Sequence, residues 1–208
     1  MLFSKRDIIR LLVPLVVEQM LAVTIGVADT VMVAYVGEAT VSGVSLVDSI
    51  NMLIIQVFAA LATGGAIVVA QYIGRGDRNR AKEAARQLFF VVTAIGVGVS
   101  LVCSIWRVPL LRLVYKTVEP AVMEASQEYF LLIAASYPAF AIYNAGAALF
   151  RAQGNSRVSM MTALMMNILN IGGNAIFLFV FDMGAFAVGL GTMLGRVAGA
   201  AVMLWLIR

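Results

Sequence analysis

LLVPLVVEQMLAVTIGVADTVMVAYV, residues 11–36, is an apolar stretch that contains only two charged residues, Glu18 and Asp29. It is longer than the roughly 20 apolar residues that a helix needs to cross the hydrocarbon core of a bilayer. A carboxylate near the middle of such a helix costs about 2.5–3.5 kcal/mol on insertion scales, so it is seldom kept for stability alone. The stretch therefore predicts a membrane helix in which Asp29 binds a cation or a proton.

The composition of the whole chain agrees with a membrane protein. Of its 208 residues, 62% are hydrophobic and 12% are charged, whereas a soluble domain is about half apolar and a quarter charged. The sequence contains no histidine, which excludes histidine metal sites, Ser–His dyads and histidine proton relays. The single cysteine, Cys103, cannot form an internal disulfide. The net charge of +4 is typical of basic membrane loops and does not indicate a nucleic-acid partner.

Six stretches are long and apolar enough to span a bilayer. They are residues 11–35, 47–70, 88–106, 129–150, 158–181 and 184–207. The fourth is the weakest, because Glu124 and Glu128 lie at its start and Pro138 interrupts it. The sequence predicts an all-α, polytopic fold with a single membrane domain over residues 1–208.

Lys and Arg are distributed unevenly among the loops. They gather before the first stretch and in the second and fourth loops, whereas the first and fifth loops contain none. Because cytoplasmic loops carry the excess of basic residues, both termini are predicted on the cytoplasmic side of the plasma (inner) membrane. In the second loop, Asp77 is predicted to cap a short helix over residues 78–87.

Two carboxylates and one proline mark the first predicted helix. Glu18 and Asp29 are eleven residues apart, so they point to one side of the helix within about 20°. Gln19 lies beside them, and Pro14 lies one turn before Glu18, where its missing N–H favours a hinge. The alternative interpretation is that Glu18 caps or pairs near a helix end and that Asp29 pairs with a basic residue.

Polar side chains also occur in the fourth and fifth predicted helices. Asn167, Asn170 and Asn174 follow the spacing of one helical stripe. They indicate either hydrogen bonds between helices or carbonyl oxygens that coordinate a cation in a polar cavity. Tyr143 and Asn144, close to Pro138 in sequence, indicate either a substrate cavity or ordinary packing.

The sixth predicted helix carries small residues at regular spacing. Gly191, Gly195 and Gly199 predict close approach to a neighbouring helix. Thr192 and Arg196 lie one turn apart among these glycines. Arg196 is expected either to extend toward the cytoplasm or to pair with a carboxylate.

These residues together resemble the MATE (multidrug and toxic compound extrusion) family. Val27–Met32 is similar to its first-helix Asp-Thr motif, and Pro14 resembles its bending proline. Ala70–Asp77 is similar to the Gln-x-x-Gly-x-Gly signature after the second helix, and Phe150–Arg157 to the arginine- and glycine-containing signature before the fifth. Asn167–Asn170 resembles the Asn-x-x-Asn motif of the fifth helix. The motifs occur in the family's order along nearly the whole chain.

The resemblance implies an antiporter that exchanges H⁺ or Na⁺ for amphiphilic or cationic organic compounds, with no enzymatic activity, no cofactor and no nucleic-acid partner. The implied cation site consists of Asp29, Asn170, Asn174 and Thr192, with Na⁺, if used, at Asp29. Asn174 is neutral where some members carry Asp, which leaves one carboxylate. The residues expected to line the substrate cavity are Glu18, Gln19, Tyr143, Asn144 and Asn167.

The family has twelve helices in two similar lobes, and this sequence resembles the amino-terminal lobe alone. A fragment or a half-size protein is therefore expected, completed either by a carboxy-terminal lobe or by a second copy in a homodimer. The alternatives are a lipid-linked oligosaccharide flippase from a related superfamily and a non-transporting membrane subunit. An intramembrane serine protease would need a histidine, and a water channel would need Asn-Pro-Ala motifs. Neither feature occurs in the sequence.

Overall fold

The computed structural model describes residues 5–207, except for the side chains of residues 5–8, 10 and 11. Within that range the chain forms seven α-helices and no strand. They are α1 (Lys5–Ala34), α2 (Glu38–Gly74), α3 (Arg78–Ile105), α4 (Arg107–Val114), α5 (Pro120–Ala152), α6 (Ser156–Phe179) and α7 (Gly184–Ile207). Six of them, all except α4, are long and apolar enough to cross a membrane. The predicted all-α, multi-pass membrane fold is confirmed.

Several helices extend beyond the apolar stretches that predicted them. The helix α2 has 37 residues, which correspond to about 55 Å of helix against a hydrocarbon core of about 30 Å. It begins at Glu38, directly after Gly37, whose φ of 135° is accessible mainly to glycine. Hydropathy marks only the part of a helix that lies in lipid, so it underestimates helices that continue into polar sequence.

The second loop differs from its prediction. The Asp77 side chain caps α3 as expected, because its carboxylate accepts a hydrogen bond of 3.1 Å from the Arg80 backbone N–H. The prediction of a separate short helix over residues 78–87 is wrong, because α3 runs from Arg78 to Ile105 without a break. No glycine or proline occurs in residues 78–87, so nothing ends the helix before the apolar part. The short helix α4 was not predicted.

The weakest predicted stretch forms the central helix of the bundle. The helix α5 packs against α2, α3 and α7, and Phe130 and Tyr137 on it are fully buried. Glu124 and Glu128 remain exposed, so they do not oppose this burial. Pro138 lies inside the helix without ending it, as membrane helices tolerate when neighbouring helices surround the proline.

The helices α6 and α7 approach each other closely at the predicted glycines. A Cβ atom built on Gly195 would lie 2.9 Å from the Met166 carbonyl oxygen, and one on Gly199 would collide with the Met166 side chain. A Cβ atom on Gly191 would collide with the Asn174 side chain. The predicted close packing is confirmed, and it places the middle of α7 directly against the asparagine stripe of α6.

The helix α1 lies at the edge of the bundle. It packs mainly against α6, and apolar side chains such as Val16 and Val23 remain exposed. Pro14 is buried inside this continuous helix. Exposed apolar residues are expected where a helix faces lipid, so the few polar contacts that α1 makes toward α6 are the informative ones.

Candidate cation site

Asp29 belongs to a connected cluster of polar side chains between α1, α6 and α7. The Asn174 side-chain amide donates to Asp29 Oδ1 at 2.6 Å and to Asn170 Oδ1 at 3.3 Å. The Asn170 amide donates to the Thr192 hydroxyl oxygen at 2.9 Å, and that hydroxyl donates to the Val188 carbonyl at 3.0 Å. The four residues that the family resemblance implies as cation ligands are therefore brought together. We call Asp29, Asn170, Asn174 and Thr192 the Asp29 cluster.

The Asp29 cluster contains a buried acceptor without a donor. Asn170 and Asn174 are 1% and 0% exposed, and Asn174 Oδ1 has no hydrogen-bond partner in the described part of the chain. Leaving a buried polar atom unsatisfied costs about 1–3 kcal/mol. Carboxylate, amide and hydroxyl oxygens are the ligands that hard cations prefer. The oxygen atoms of the Asp29 cluster therefore fit a small cation as ligands. The absence of a side chain at Gly191 provides the space that the Asn174 amide occupies.

No basic side chain neutralises Asp29 by direct contact. In residues 5–207, leaving aside the side chains not described, the only salt bridges join Arg80 to Asp77 and Arg151 to Glu18. The alternative that Asp29 pairs directly with a basic residue is therefore not seen in this part of the chain. A charged carboxylate within a membrane span is costly unless a counter-charge reaches it. The arrangement favours uptake of a proton or another cation.

Glu18 lies in a second cluster, one that neutralises it. Arg151 Nη1 donates to Glu18 Oε1 at 2.9 Å, and the two side chains are 26% and 12% exposed respectively. The Tyr143 hydroxyl donates to the same oxygen at 3.3 Å, and the Ser159 hydroxyl donates to Oε2 at 2.9 Å. We call Glu18, Tyr143, Arg151 and Ser159 the Glu18 cluster. It joins α1 to α5 and α6, as the pairing alternative for Glu18 expected.

The other predicted cavity residues do not join either cluster. Gln19 is exposed on α1. The Asn144 amide donates to the Phe140 carbonyl of its own helix at 2.9 Å. The Asn167 amide donates to the Leu21 carbonyl at 2.8 Å and so links α6 to α1. Asn144 and Asn167 satisfy backbone acceptors, and their contacts to a substrate stay a prediction.

Arg196 does neither of the two things expected from the sequence. It is 6% exposed, so it does not extend toward solvent, and it forms no salt bridge with a described carboxylate. Its Nη1 donates to the Ser136 hydroxyl at 2.8 Å and its Nη2 to Asn51 Oδ1 at 3.4 Å. Its guanidinium also lies 4.6 Å from the centre of the Phe140 ring, within the range of a cation–π interaction. These partners lie on α2 and α5, which sequence spacing on α7 does not reveal.

Asp48 is a further intramembrane carboxylate that the sequence analysis missed. It lies on α2, where its side chain is exposed, and the Tyr129 hydroxyl donates to its Oδ1 at 3.0 Å. Tyr129 itself is 2% exposed. The available signal was a lone acid just inside the predicted stretch 47–70. Its position at the edge of that stretch does not distinguish it from a loop residue.

A metal site of the usual kind is not found. Within the described residues, no group of three His, Cys, Asp or Glu side chains lies close enough to hold a metal ion. A cation at the Asp29 cluster would therefore rely on one carboxylate together with neutral oxygens.

Fold and site together define a multi-pass membrane protein with a partly buried carboxylate–amide cluster. The MatE family model matches residues 14–176, so the chain belongs to the MatE family. It is 27% identical over 199 residues to the uncharacterized transporter YisQ of Bacillus subtilis, covering 94% of this chain and 43% of that protein. It is 26% identical over 207 residues to the probable multidrug resistance protein NorM of Thermotoga maritima, covering 98% and 44%. The chain spans less than half the length of these relatives.

Solved transporter structures share this fold. An outward-facing multidrug resistance MATE family transporter of the MOP superfamily superimposes with a TM-score of 0.91 at 22% identity, covering 98% of this chain and 45% of that one. A MATE structure in a bent conformation superimposes with a TM-score of 0.89, covering 97% of this chain and 44% of that one, at 22% identity. A MATE structure in a straight conformation superimposes with a TM-score of 0.90, covering 98% of this chain and 45% of that one, also at 22% identity. The fold is therefore that of one part of a MATE transporter.

Proposed function

We propose that the protein acts in cation-coupled antiport, in which H⁺ or Na⁺ drives export of amphiphilic or cationic organic compounds. The observation that carries the proposal is the Asp29 cluster, an intramembrane carboxylate bound by amides and without a direct basic partner. The named relatives are a transporter and a probable multidrug resistance protein, which supports this substrate class. The basic loops support cytoplasmic termini in the plasma (inner) membrane.

The mechanism follows from the change of charge at Asp29. A bound cation neutralises Asp29 and removes the cost of its charge in the bilayer. The segment of α1 around Asp29 then holds α6 differently from the way it does when Asp29 is charged, with Pro14 as the hinge because the backbone there lacks one hydrogen bond. Solved MATE structures in bent and straight conformations support two such states. Coupling requires that ion and substrate bind the two states unequally.

The substrate cavity is proposed to lie between this bundle and a second six-helix unit. Alternating access in secondary transporters uses two related halves that rock against each other. The second half comes either from further sequence or from a second copy of the chain. The molecular mass of the purified protein in detergent distinguishes a homodimer from a monomer, and transport by the purified 208-residue chain in liposomes distinguishes an active assembly from a non-transporting subunit.

The competing function, a lipid-linked oligosaccharide flippase, requires cationic groups that face phosphates. Among the described residues, the Arg196 guanidinium donates hydrogen bonds to Ser136 and Asn51 and lies over the Phe140 ring. Arg151 forms a salt bridge with Glu18. In the described part of the chain, Asp29 and Asp48 form polar contacts between helices but no salt bridge. This charge pattern favours a cationic partner over a phosphate.

The test is Asp29→Asn, read by efflux of the organic cation ethidium from vesicles in which a pH or Na⁺ gradient is imposed. We expect gradient-driven efflux to be lost, because the neutral amide cannot change its charge on cation binding. Asp182→Asn is the matched control, since Asp182 is an exposed acid between α6 and α7 with a φ of 51° that Asn tolerates. Efflux that stays fully coupled to either gradient in Asp29→Asn would overturn the proposal.

A further inference from the structure

Among the described residues, three charged side chains outside the Glu18–Arg151 pair form hydrogen bonds between helices. They are Asp29 on α1, Asp48 on α2 and Arg196 on α7, and we call them the three-charge group. Asn174 of α6 donates to Asp29, Tyr129 of α5 donates to Asp48, and Arg196 donates to Asn51 of α2. Charged groups within a membrane span are costly unless they compensate one another. The proposed antiport mechanism uses Asp29 alone and leaves Asp48 and Arg196 unexplained.

Neutral polar side chains connect the members of this group across the bundle. Thr192, which belongs to the Asp29 cluster, lies one helical turn before Arg196 on α7. Arg196 donates to Asn51, which lies one turn after Asp48 on α2. The Tyr129 hydroxyl then holds Asp48 from α5. Five helices, α1, α2, α5, α6 and α7, therefore contribute to one polar layer that begins at Asp29 and ends at Asp48.

Two buried polar atoms in this layer have no hydrogen-bond partner among the described residues. They are Asn174 Oδ1, next to Asp29, and the Tyr137 hydroxyl, whose ring centre lies 5.9 Å from the Arg196 guanidinium. Both side chains are fully buried. Buried polar groups without partners are uncommon in native proteins and call for an explanation, such as an ion or water that binds there. These atoms point to a polar ligand within the layer.

We propose that Asp48 is a second carboxylate of the cation site and that Arg196 is its fixed counter-charge, so that the layer takes up one monovalent cation. Two carboxylates and one guanidinium leave a single negative charge. One proton or one Na⁺ neutralises it, whereas a second would leave the interior positive. The exposed side chain of Asp48 allows an ion to reach it. This inference rests on the proposed cation site at Asp29.

The inference assigns opposite effects to the two added residues. Removing the Asp48 charge makes the layer less negative and weakens cation binding, whereas removing the Arg196 charge makes it more negative and strengthens binding. A residue with only a structural role would weaken binding in both cases. The sign of the change therefore separates an electrostatic role from damage to the fold.

The experiment measures binding of radioactive Na⁺ and uptake of protons on acidification by the purified chain in lipid nanodiscs. We expect Asp48→Asn to weaken binding of the coupling cation by about tenfold. Arg196→Gln should strengthen it by about tenfold and raise the number of cations bound per chain from one to two. Arg196→Lys keeps the charge and should keep one cation per chain. Glu38→Gln, which removes an exposed acid from the first turn of α2, should change nothing.

The two probes distinguish a Na⁺ site from a proton site. A Na⁺ site gives the expected affinity changes among the variants in the Na⁺-binding measurement, and a proton site gives them in the proton-uptake measurement. Size-exclusion profiles check folding, and if Arg196→Gln does not fold, Asp48→Asn and Arg196→Lys still carry the test. Binding lost in Asp29→Asn but unchanged in Asp48→Asn would overturn this inference and leave the proposed function standing. Binding unchanged in Asp29→Asn as well would overturn both.

Discussion

The two carboxylates of α1 are eleven residues apart on one face of the helix, yet the bundle surrounds them differently. The Glu18 carboxylate accepts hydrogen bonds from Arg151 and from two hydroxyl groups within 3.3 Å, so the adjacent guanidinium compensates its charge. Asp29 meets the Asn174 amide at 2.6 Å and no basic side chain by direct contact in the described part of the chain. The Glu18 cluster therefore fastens α1 to α5 and α6, while the Asp29 cluster retains a charge that a mobile cation can neutralise.

This comparison shows that an acid in a membrane span is not by itself a functional site. The difference arises from α5 and α6, because α5 presents Arg151 to Glu18 and α6 presents Asn174 to Asp29. If the comparison is correct, substitutions in the Glu18 cluster affect stability, and substitutions in the Asp29 cluster affect cation binding.

The largest expected effect is on stability, in Arg151→Met. The change leaves Glu18 charged and largely buried, and removing one partner of a buried pair costs about 3–5 kcal/mol. The free energy of unfolding, measured by denaturant titration in mixed micelles, should fall by that amount. Glu18→Gln in the same chain should recover much of the loss, and Arg157→Met, at an exposed position, serves as the control. A small loss in Arg151→Met would show that the Glu18 cluster does not fasten the helices.

The next effect concerns Gly191→Ala. The added Cβ atom collides with the Asn174 side chain, and overpacking of this kind costs about 1–3 kcal/mol. We expect both a lower unfolding free energy and weaker cation binding, because the amide must leave its position beside Asp29. Gly172→Ala on α6 is the matched control, since a Cβ atom there has nothing within 4 Å. Equal cation affinities in the two variants would argue against Asn174 as part of the site.

Asn174→Asp sharpens the comparison by adding a second acid to the Asp29 cluster. The new carboxylate would replace an amide that lies 2.6 Å from Asp29, and two carboxylates at that distance share a proton or a cation. We expect affinity for the coupling cation to rise by about tenfold, or about 1.4 kcal/mol, in the binding assay described above. A fall in affinity would indicate that the amide hydrogen bond, and not the local charge, organises the cluster.

The smallest effect is expected for Tyr143→Phe. It removes one hydrogen bond of 3.3 Å to Glu18, which is worth about 0.5–1.5 kcal/mol. The unfolding free energy should fall within that range while cation binding stays at its original level. Tyr35→Phe, at a side chain that is 76% exposed, controls for loss of a hydroxyl group. A clear loss of cation binding in Tyr143→Phe would show that the two clusters are coupled.

Prediction from sequence succeeded where the signal is local. The six spans follow from apolar length, and the glycine spacing of α7 predicted its close approach to α6 because the period of a helix fixes which residues share a face. Prediction failed at helix ends, where α3 continues through residues 78–87 and α5 begins at Pro120, before the predicted stretch 129–150. The fourth stretch was predicted as a membrane helix, but its central place in the bundle was not. Those features depend on neighbouring helices that hydropathy does not describe.

The sequence by itself determined that the chain is a multi-pass helical membrane protein with costly acids at positions 18 and 29, because hydropathy and charge are properties of single residues and short segments. Only the tertiary structure decided that Glu18 is paired with Arg151, 133 residues away, and that Asp29 meets Asn174, 145 residues away. It also decided that Arg196 turns inward to α2 and α5. The physical reason is that the cost of a buried charge depends on the groups within a few ångströms, and packing of distant helices selects those groups.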